Sequence, residues 1–310
     1  MRKKSKLFLV NGTLLTFTAL LIKLVTLIFN IYVTNKIGTE AIGVFSLIMA
    51  IYLLFFTIAT SGLNVAVTII VSEKFATNKD KIAIKTIRTC ILFSLLLGIS
   101  SSVLMIVFSD LLVKLCLHCT ISSKPLFYIS ASLPFSAMSS CIYSYFNATR
   151  KAYKNAIIQV FDFFIKIIST IVLLKFNIEK GIENICLSLI LANTISEIFS
   201  FFLIFIFYII DIKNKKLNNV HSLGQRINIL KISIPVAFTA YIKSGLSTIK
   251  QLIIPLQLEK SGLSYSNSLS QYGIINRNGY ICNYFSHCFY LFLLSINNTG
   301  IFYIFCSKKL

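Results

Sequence analysis

Six charged side chains stand inside long apolar stretches of this sequence. They are Lys23, Asp162, Lys166, Glu197, Lys243 and Lys250. A charge at the centre of a bilayer costs about 2.5–3.5 kcal/mol on insertion scales, so such residues usually face a bundle interior or a water-filled cavity. Four of the six are lysines and two are carboxylates, a balance that suits an anionic ligand such as a phosphate-bearing head group. The same balance fits a cation exporter poorly, because that activity favours excess carboxylate.

Lys23 and Glu197 have no residue of opposite charge three or four positions away, so neither can pair within its own helix. Lys23 lies deep in its stretch, where its ammonium group reaches the membrane surface with difficulty, and we expect it to face a cavity. Glu197 either pairs with Lys23 or relays a proton, and the sequence does not decide between them. Lys243 and Lys250 lie nearer helix ends, where extension to the surface is the simpler interpretation.

Asp162 and Lys166 are four residues apart, so they share a helix face and can pair. A structural ion pair would account for both residues without a ligand. A role in lining a cavity accounts for them equally well, and both interpretations stay open.

The composition identifies the elements that must hold these charges. Of the 310 residues, 56% are hydrophobic and 13% are charged, and the mean hydropathy is +0.81. The apolar residues come in runs of about 20, the length of a membrane-crossing helix, and not at periods of 2 or 3.6. Since lipid cannot satisfy unpaired backbone groups, we predict an all-α, multi-pass transmembrane helical bundle. The first run is too long for the apolar core of a signal peptide.

Seven runs are predicted to cross the membrane. Their bounds are Leu7–Val33, Ala41–Ala59, Thr89–Ser109, Pro125–Phe146, Ala156–Leu174, Ile185–Ile210 and Ile232–Leu256. Pro134 is expected to kink the fourth run, because proline removes a hydrogen-bond donor from the helix.

The positive charges flank these runs on alternate sides. Segments 2–6, 73–88, 150–154 and 213–231 contain 17 lysines and arginines, whereas the links on the opposite side contain six. The positive-inside rule then places the N-terminus in the cytoplasm. The net charge of +20 is explained by this rim next to the bilayer, so no nucleic-acid partner is expected.

Metal and catalytic signals are weak. Cys116 and Cys119 bracket His118 in a short loop. A closed zinc site needs four ligands, and no second pair of suitable spacing is near, so we expect no metal. The sequence also shows no nucleophile–base constellation, Walker loop or pair of histidines at helical spacing. We therefore expect neither enzymatic activity nor a cofactor.

Several short motifs occur in an order that is typical of one superfamily. They are Lys23 in the first helix, Gly38–Phe45, Ser61–Val67 followed by Glu73, Gln159–Asp162 followed by Lys166, Leu230–Pro235, Ile254-Pro255, and Ser261–Ser264 followed by Gln271–Gly273. Together they resemble the multidrug/oligosaccharidyl-lipid/polysaccharide (MOP) flippase superfamily, and most closely its stage V sporulation protein B and lipid II flippase branch. Three positions depart from the pattern: Asn64 replaces a proline, Ile69 a basic residue and Lys250 an acidic or polar one.

The resemblance implies a two-lobed, MATE-like bundle around a central cavity. It also implies alternating access that carries an undecaprenyl-diphosphate-linked oligosaccharide, such as a peptidoglycan precursor, across the membrane for cell-wall or spore-cortex synthesis. Combined with the charges described above, it makes five residues the candidate substrate-binding set. They are Lys23, Gln159, Asp162, Lys166 and Glu197, with Lys23 as the expected diphosphate contact.

The resemblance also divides the chain. Residues 1–211 form a six-helix lobe, 212–231 a cytoplasmic loop, and 232–275 the start of a second lobe. We expect residues 276–310 to be translated out of frame. Codons that can encode this segment, when they are read one base further on, give a family-like Gly-Met-Ala and Phe-Pro pattern. Sequencing codons 270–290 tests this expectation.

Three alternatives to a flippase stay open. The chain could be a truncated, non-transporting fragment of such a flippase, which complementation of a flippase-deficient strain would reveal. It could be a cation-coupled multidrug exporter of the same superfamily, which an ion-dependent efflux assay would reveal. A regulatory or scaffold membrane protein is the remaining possibility, although no soluble binding domain supports it.

Overall fold

The computed structural model describes residues 2–77, 79–116, 122–177, 181–213 and 229–275, and in these ranges the chain is helical with no strand. The helices are α1 (Arg2–Ile37), α2 (Thr39–Thr60), α3 (Leu63–Ala76), α4 (Asp80–Val107), α5 (Ser109–Cys116), α6 (Lys124–Ser130), α7 (Leu133–Ala148), α8 (Ala152–Asn177), α9 (Ile182–Lys213) and α10 (Ile229–Lys260). A further helical stretch, α11, covers residues 265–275.

Six helical spans in the described part of the chain are long and apolar enough to cross a membrane. They are Leu20–Ile37, Thr39–Ala76, Asp80–Val107, Lys124–Ala148, Ala152–Asn177 and Ile182–Lys213. The predicted all-α, multi-pass fold is therefore confirmed, and six of the seven predicted spans have a counterpart.

Two of the spans are each built from two helices. The span Thr39–Ala76 bends between α2 and α3, where Gly62 has a positive φ of 82° that other residues rarely adopt. The span Lys124–Ala148 breaks between α6 and α7, and Pro134 lies in the first turn of α7. A proline is tolerated there because the first-turn N–H groups have no partner within the helix. The predicted kink is thus a break just before the proline.

Apolar side chains pack in two main layers. One joins α2, α6 and α9 through residues such as Ile51, Ile129 and Ile190. The other joins α3, α4 and α7 through residues such as Val67 and Ile87. In lipid this packing stabilises helix association through van der Waals contact, since the surrounding chains are as apolar as the side chains.

The predicted seventh run forms α10, which is not among the six apolar spans. Helix α10 packs along the bent span. Thr248 donates to the Ala50 carbonyl oxygen (3.3 Å) and Tyr241 to that of Ile58 (3.2 Å). Residues 214–228, in the predicted interlobe loop, and the predicted out-of-frame tail 276–310 lie outside the described residues.

Candidate functional site

The carboxylate of Glu197 is the centre of a polar network in the middle of the bundle. Its Oε2 atom accepts hydrogen bonds from the hydroxyls of Tyr52 and Ser136, each at 2.5 Å. Ser132 also donates to the Tyr52 oxygen, at 3.2 Å. The donors come from α2 and α7 and the acceptor from α9, so the network fixes three helices relative to one another. Charge-assisted bonds of this kind are roughly twice as strong as neutral ones.

An asparagine connects this network to a lysine. Asn193, one turn before Glu197 on α9, donates to Glu197 Oε1 at 2.8 Å. The ammonium group of Lys166 on α8 donates to Asn193 Oδ1 at 2.6 Å. The Asn193 amide therefore connects the Lys166 ammonium group on α8 to the Glu197 carboxylate on α9.

The side chain of Asp162 forms no ion pair within 4.0 Å with another described residue. Ion pairs within 4.0 Å in the described ranges include Lys74–Glu73, Lys151–Asp211 and Lys154–Asp211. Asp162 lies within electrostatic range of Lys166 and Glu197. Its Oδ1 atom is buried and accepts no hydrogen bond from the described residues. The local i, i+4 pair that the sequence allows is thus replaced by the contact between Lys166 and Asn193.

Lys23 lies on α1 with a half-buried side chain, and it has an interaction partner. Its depth follows from the packing of α1 on α8, where Val33 and Leu174 share one apolar cluster. Lys23 is about 15 Å before Val33 and Lys166 about 12 Å before Leu174 along helices that run in the same direction. The two lysines are therefore at similar depths in the bundle.

An open cavity of about 490 Å³ lies beside the network, between α3, α7 and α8. Its polar lining comprises Asn64, Thr68, Ser140, Tyr143, Ser144, Asn147 and Gln159. Gln159 is exposed at this cavity. Asn64, which replaces a proline of the family pattern, receives a hydrogen bond from Ser140. The departure thus adds an amide to the cavity wall.

The cavity and the network are continuous along the helices. Phe56 lines the cavity and its ring stacks on that of Tyr52, one turn away, at a centroid distance of 6.2 Å. On α7, Ser140 of the cavity lies one turn from Ser136 of the network, and helix geometry places both on one face. The cavity and the network therefore lie next to each other along α2 and α7.

On α8, Gln159 lines the cavity and Asp162 follows it on the same face, one turn closer to Lys166. Four of the five candidate residues, those on α8 and α9, are thus brought into one region of the bundle. The fifth, Lys23, shares their depth from the neighbouring helix.

Sequence reasoning missed the uncharged members of this site, namely Tyr52, Ser132, Ser136 and Asn193. Hydroxyl groups are frequent in membrane helices, so nothing in the composition distinguishes these four. The spacing of Asn193 and Glu197 by four residues was an available signal, since such pairs share a helix face.

Metal binding has no support from the described side chains, among which no group of three or more His, Cys, Asp or Glu residues could hold an ion. His118 and Cys119 of the short cysteine loop lie outside the described residues.

Comparison with known proteins supports the fold. The profile of a family described as "Polysaccharide biosynthesis protein" matches residues 8–276. Stage V sporulation protein B of Bacillus subtilis (strain 168) is 21% identical over 272 residues, which cover 85% of this chain and 52% of that protein. The chain thus spans about half the length of this curated relative.

A solved structure gives the corresponding architecture. It is described as the inward-facing conformation of a multidrug resistance MATE family transporter of the MOP superfamily, and its TM-score is 0.59 at 14% identity. The similarity covers 81% of this chain and 56% of the other. The chain therefore belongs to the polysaccharide biosynthesis protein family, and its fold is that of a MOP-superfamily transporter, as the motifs predicted.

Proposed function

We propose that the chain takes part in flipping an undecaprenyl-diphosphate-linked oligosaccharide, such as a peptidoglycan precursor, across the bacterial plasma membrane. The observation that carries this proposal is the hydrogen-bonded network of Lys166, Asn193 and Glu197, which lies near an open polar cavity within apolar, membrane-length helices. Intramembrane charges of this kind usually mark a substrate or ion pathway. The similarity to stage V sporulation protein B supports a role in sporulation.

Each candidate residue has a distinct role in this proposal. Lys23 and Lys166 attract the diphosphate, because hydrogen bonds between an ammonium group and a phosphate oxygen are strengthened by charge. Gln159 lines the cavity, and Asp162 lies one turn further along α8, toward Lys166. Glu197 holds Asn193 and Tyr52 in place, so that Lys166 keeps its position as the bundle moves.

The proposed orientation places the N-terminus in the cytoplasm. The cavity lies toward the end of the bundle where α3 and α7 end and α8 begins, the same end as the N-terminus of α1. A head group synthesised in the cytoplasm would then enter the cavity directly.

Complementation of a bacterial strain that lacks its lipid-linked oligosaccharide flippase tests the proposal. We expect the wild-type chain to restore growth and Lys23→Ala to abolish it, with both proteins present in the membrane at equal amounts. Lys36→Ala is the matched control, because Lys36 is an exposed lysine on the same helix. Normal growth with Lys23→Ala would refute the role of Lys23, and no growth with the wild-type chain would favour the non-transporting alternative.

A cation-coupled exporter is the second candidate, favoured by one observation. The partly buried carboxylate of Glu197 accepts hydrogen bonds from three neutral side chains, those of Tyr52, Ser136 and Asn193. It accepts none directly from a lysine of the described residues. A carboxylate in such surroundings can exchange a proton or cation. Efflux of a cationic dye that depends on a sodium or proton gradient would support this candidate, and gradient-independent dye levels would eliminate it.

A further inference from the structure

The cavity between α3, α7 and α8 differs from the Glu197 network in its chemistry. None of the residues that line it is charged: the lining has three amides, four hydroxyls and the apolar side chains of Phe56, Val65 and Ile69. Its volume of about 490 Å³ is in the range of binding sites for small ligands. Such sites are lined mostly by apolar side chains, with a few polar groups that orient the ligand. An anionic diphosphate would find no counter-charge among these residues.

Two asparagines of the lining are held by their carbonyl oxygens. Ser140 donates to Asn64 Oδ1. Asn155, which is buried, donates from Nδ2 to Asn147 Oδ1 at 2.9 Å and to the Tyr143 carbonyl oxygen at 3.0 Å. With the oxygens engaged, the NH₂ groups of Asn64 and Asn147 are left as donors for a ligand.

The hydroxyls of the lining provide the opposite function. Thr68 donates to the backbone oxygen of Asn64 at 2.9 Å and Ser144 to that of Ser140 at 3.0 Å. Each hydroxyl oxygen keeps its lone pairs, so it can accept a bond from a ligand. Gln159, exposed and with no hydrogen bond to another described side chain, offers both a donor and an acceptor. The cavity wall therefore offers both hydrogen-bond donors and hydrogen-bond acceptors.

We propose that this cavity binds the uncharged sugar of the lipid-linked substrate, separately from the lysines that take its diphosphate. A sugar hydroxyl both donates and accepts hydrogen bonds, whereas a phosphate oxygen accepts only, so the mixed wall matches a sugar. The apolar C–H face of a pyranose ring packs against Phe56, Val65 or Ile69. Gln159 and Lys166 are about 10 Å apart along α8, which leaves room for the two ligand parts at different depths. This inference rests on the proposed flippase function.

Lipid binding to the full chain in detergent, measured by native mass spectrometry, tests the inference. The two probes are undecaprenyl diphosphate and the same lipid bearing an uncharged, N-acetylated amino-sugar disaccharide. We expect the wild-type chain to bind the glycosylated lipid about tenfold more tightly, because the sugar adds hydrogen bonds and apolar contacts in the cavity that the lipid without sugar cannot make. Asn64→Leu and Gln159→Met should bring this ratio to about one and leave the affinity for undecaprenyl diphosphate unchanged.

Matched variants make the result specific. Gln257→Met removes an exposed glutamine on α10, away from the cavity, and should keep the tenfold ratio. If Asn64→Leu does not fold, Gln159→Met carries the test, because Gln159 is exposed and supports no internal hydrogen bond in the described structure.

Four results would overturn the inference. Equal binding of the two lipids by the wild-type chain excludes sugar recognition, and an unchanged ratio in both cavity variants places that recognition elsewhere. Equal weakening of both lipids by the variants indicates a structural effect. If the wild-type chain binds neither lipid, the proposed function fails and this inference fails with it, which distinguishes the two failures.

Discussion

Gly43 of α2 and Gly273 of α11 cross with their backbones in direct contact. A Cβ atom at Gly43 would overlap the Leu269 carbonyl oxygen, and one at Gly273 would overlap the Thr39 carbonyl oxygen. Thr39 and Ser270 are joined by a hydrogen bond between their hydroxyls beside this crossing. The contact ties the end of the described chain to the start of the bent span, as close small-residue packing does in membrane helices.

Alanine at either glycine should therefore separate the two helices. We expect Gly43→Ala and Gly273→Ala each to lower the thermal unfolding midpoint of the detergent-solubilised chain by several degrees, corresponding to a loss of about 1–3 kcal/mol from overpacking. Gly245→Ala is the control, because a Cβ at Gly245 meets no atom within 4 Å. Alanine also has the higher helix propensity, so this control should be neutral or slightly stabilising. A fall of equal size in all three variants would argue against the crossing.

The Glu197 network leads to a second prediction. Glu197→Ala leaves Tyr52, Ser136 and Asn193 without their acceptor, and an unsatisfied buried polar group costs about 1–3 kcal/mol. We expect a lower thermal midpoint and loss of complementation. Glu197→Gln, which keeps one acceptor oxygen, should lose less stability than alanine does.

The control for this prediction is Asp110→Ala, which removes an exposed carboxylate on α5. Exposed charges contribute little, so its midpoint should stay close to that of the wild-type chain. If Glu197→Ala unfolds at the wild-type temperature, the network does not hold the three helices together.

The route from Lys166 through Asn193 to Glu197 predicts energetic coupling between the two charged ends. In double-mutant cycles, residues that share a hydrogen-bond network typically show interaction energies of about 0.5–3 kcal/mol. We expect the combined Lys166→Met and Glu197→Gln changes to be less destabilising than the sum of the single changes, because each alone breaks the same relay. Chemical denaturation of the four proteins measures the cycle, and additive effects within error would mean that Asn193 transmits nothing.

The sequence revealed the charged part of this site because charges are conspicuous in apolar helices. Lys23, Asp162, Lys166 and Glu197 could be selected on composition alone. Their partners could not, since a bond such as Tyr52–Glu197 joins residues 145 positions apart and depends on which helices become neighbours. Nothing local to α2 distinguishes Tyr52 from other aromatic residues.

The same distinction applies to the fold. Apolar run length predicted the spans, because it is a property of each segment. The bend at Gly62 was not predicted, since it arises where α10 crosses the span. A Cβ at Gly62 would overlap the Ser233 carbonyl oxygen and lie 3.0 Å from Ala237 Cβ. Span hydropathy carries no information about such a crossing.

A final prediction concerns Asp211 at the end of α9, which does not line the cavity. Its side chain is 3% exposed and accepts hydrogen bonds from Lys151 (2.6 Å), Lys154 (2.7 Å) and Tyr145 (2.9 Å). One carboxylate thus fixes the turn between α7 and α8 to the end of α9. Removing it leaves two cations and a phenol without their acceptor, although the partly exposed lysines can turn toward water.

We expect Asp211→Ala to lower the stability of the detergent-solubilised chain by about 1–3 kcal/mol, the range for hydrogen bonds to charged groups and unsatisfied polar groups. Glu73→Ala is the control, because Glu73 pairs with Lys74 while 60% exposed, and surface pairs contribute about 0–1 kcal/mol. Thermal unfolding with and without about 1 M salt distinguishes the Asp211 contacts from the Glu73–Lys74 pair, because salt screens the surface pair more than the buried one. Equal losses in the two variants would show that burial adds nothing to the Asp211 contacts.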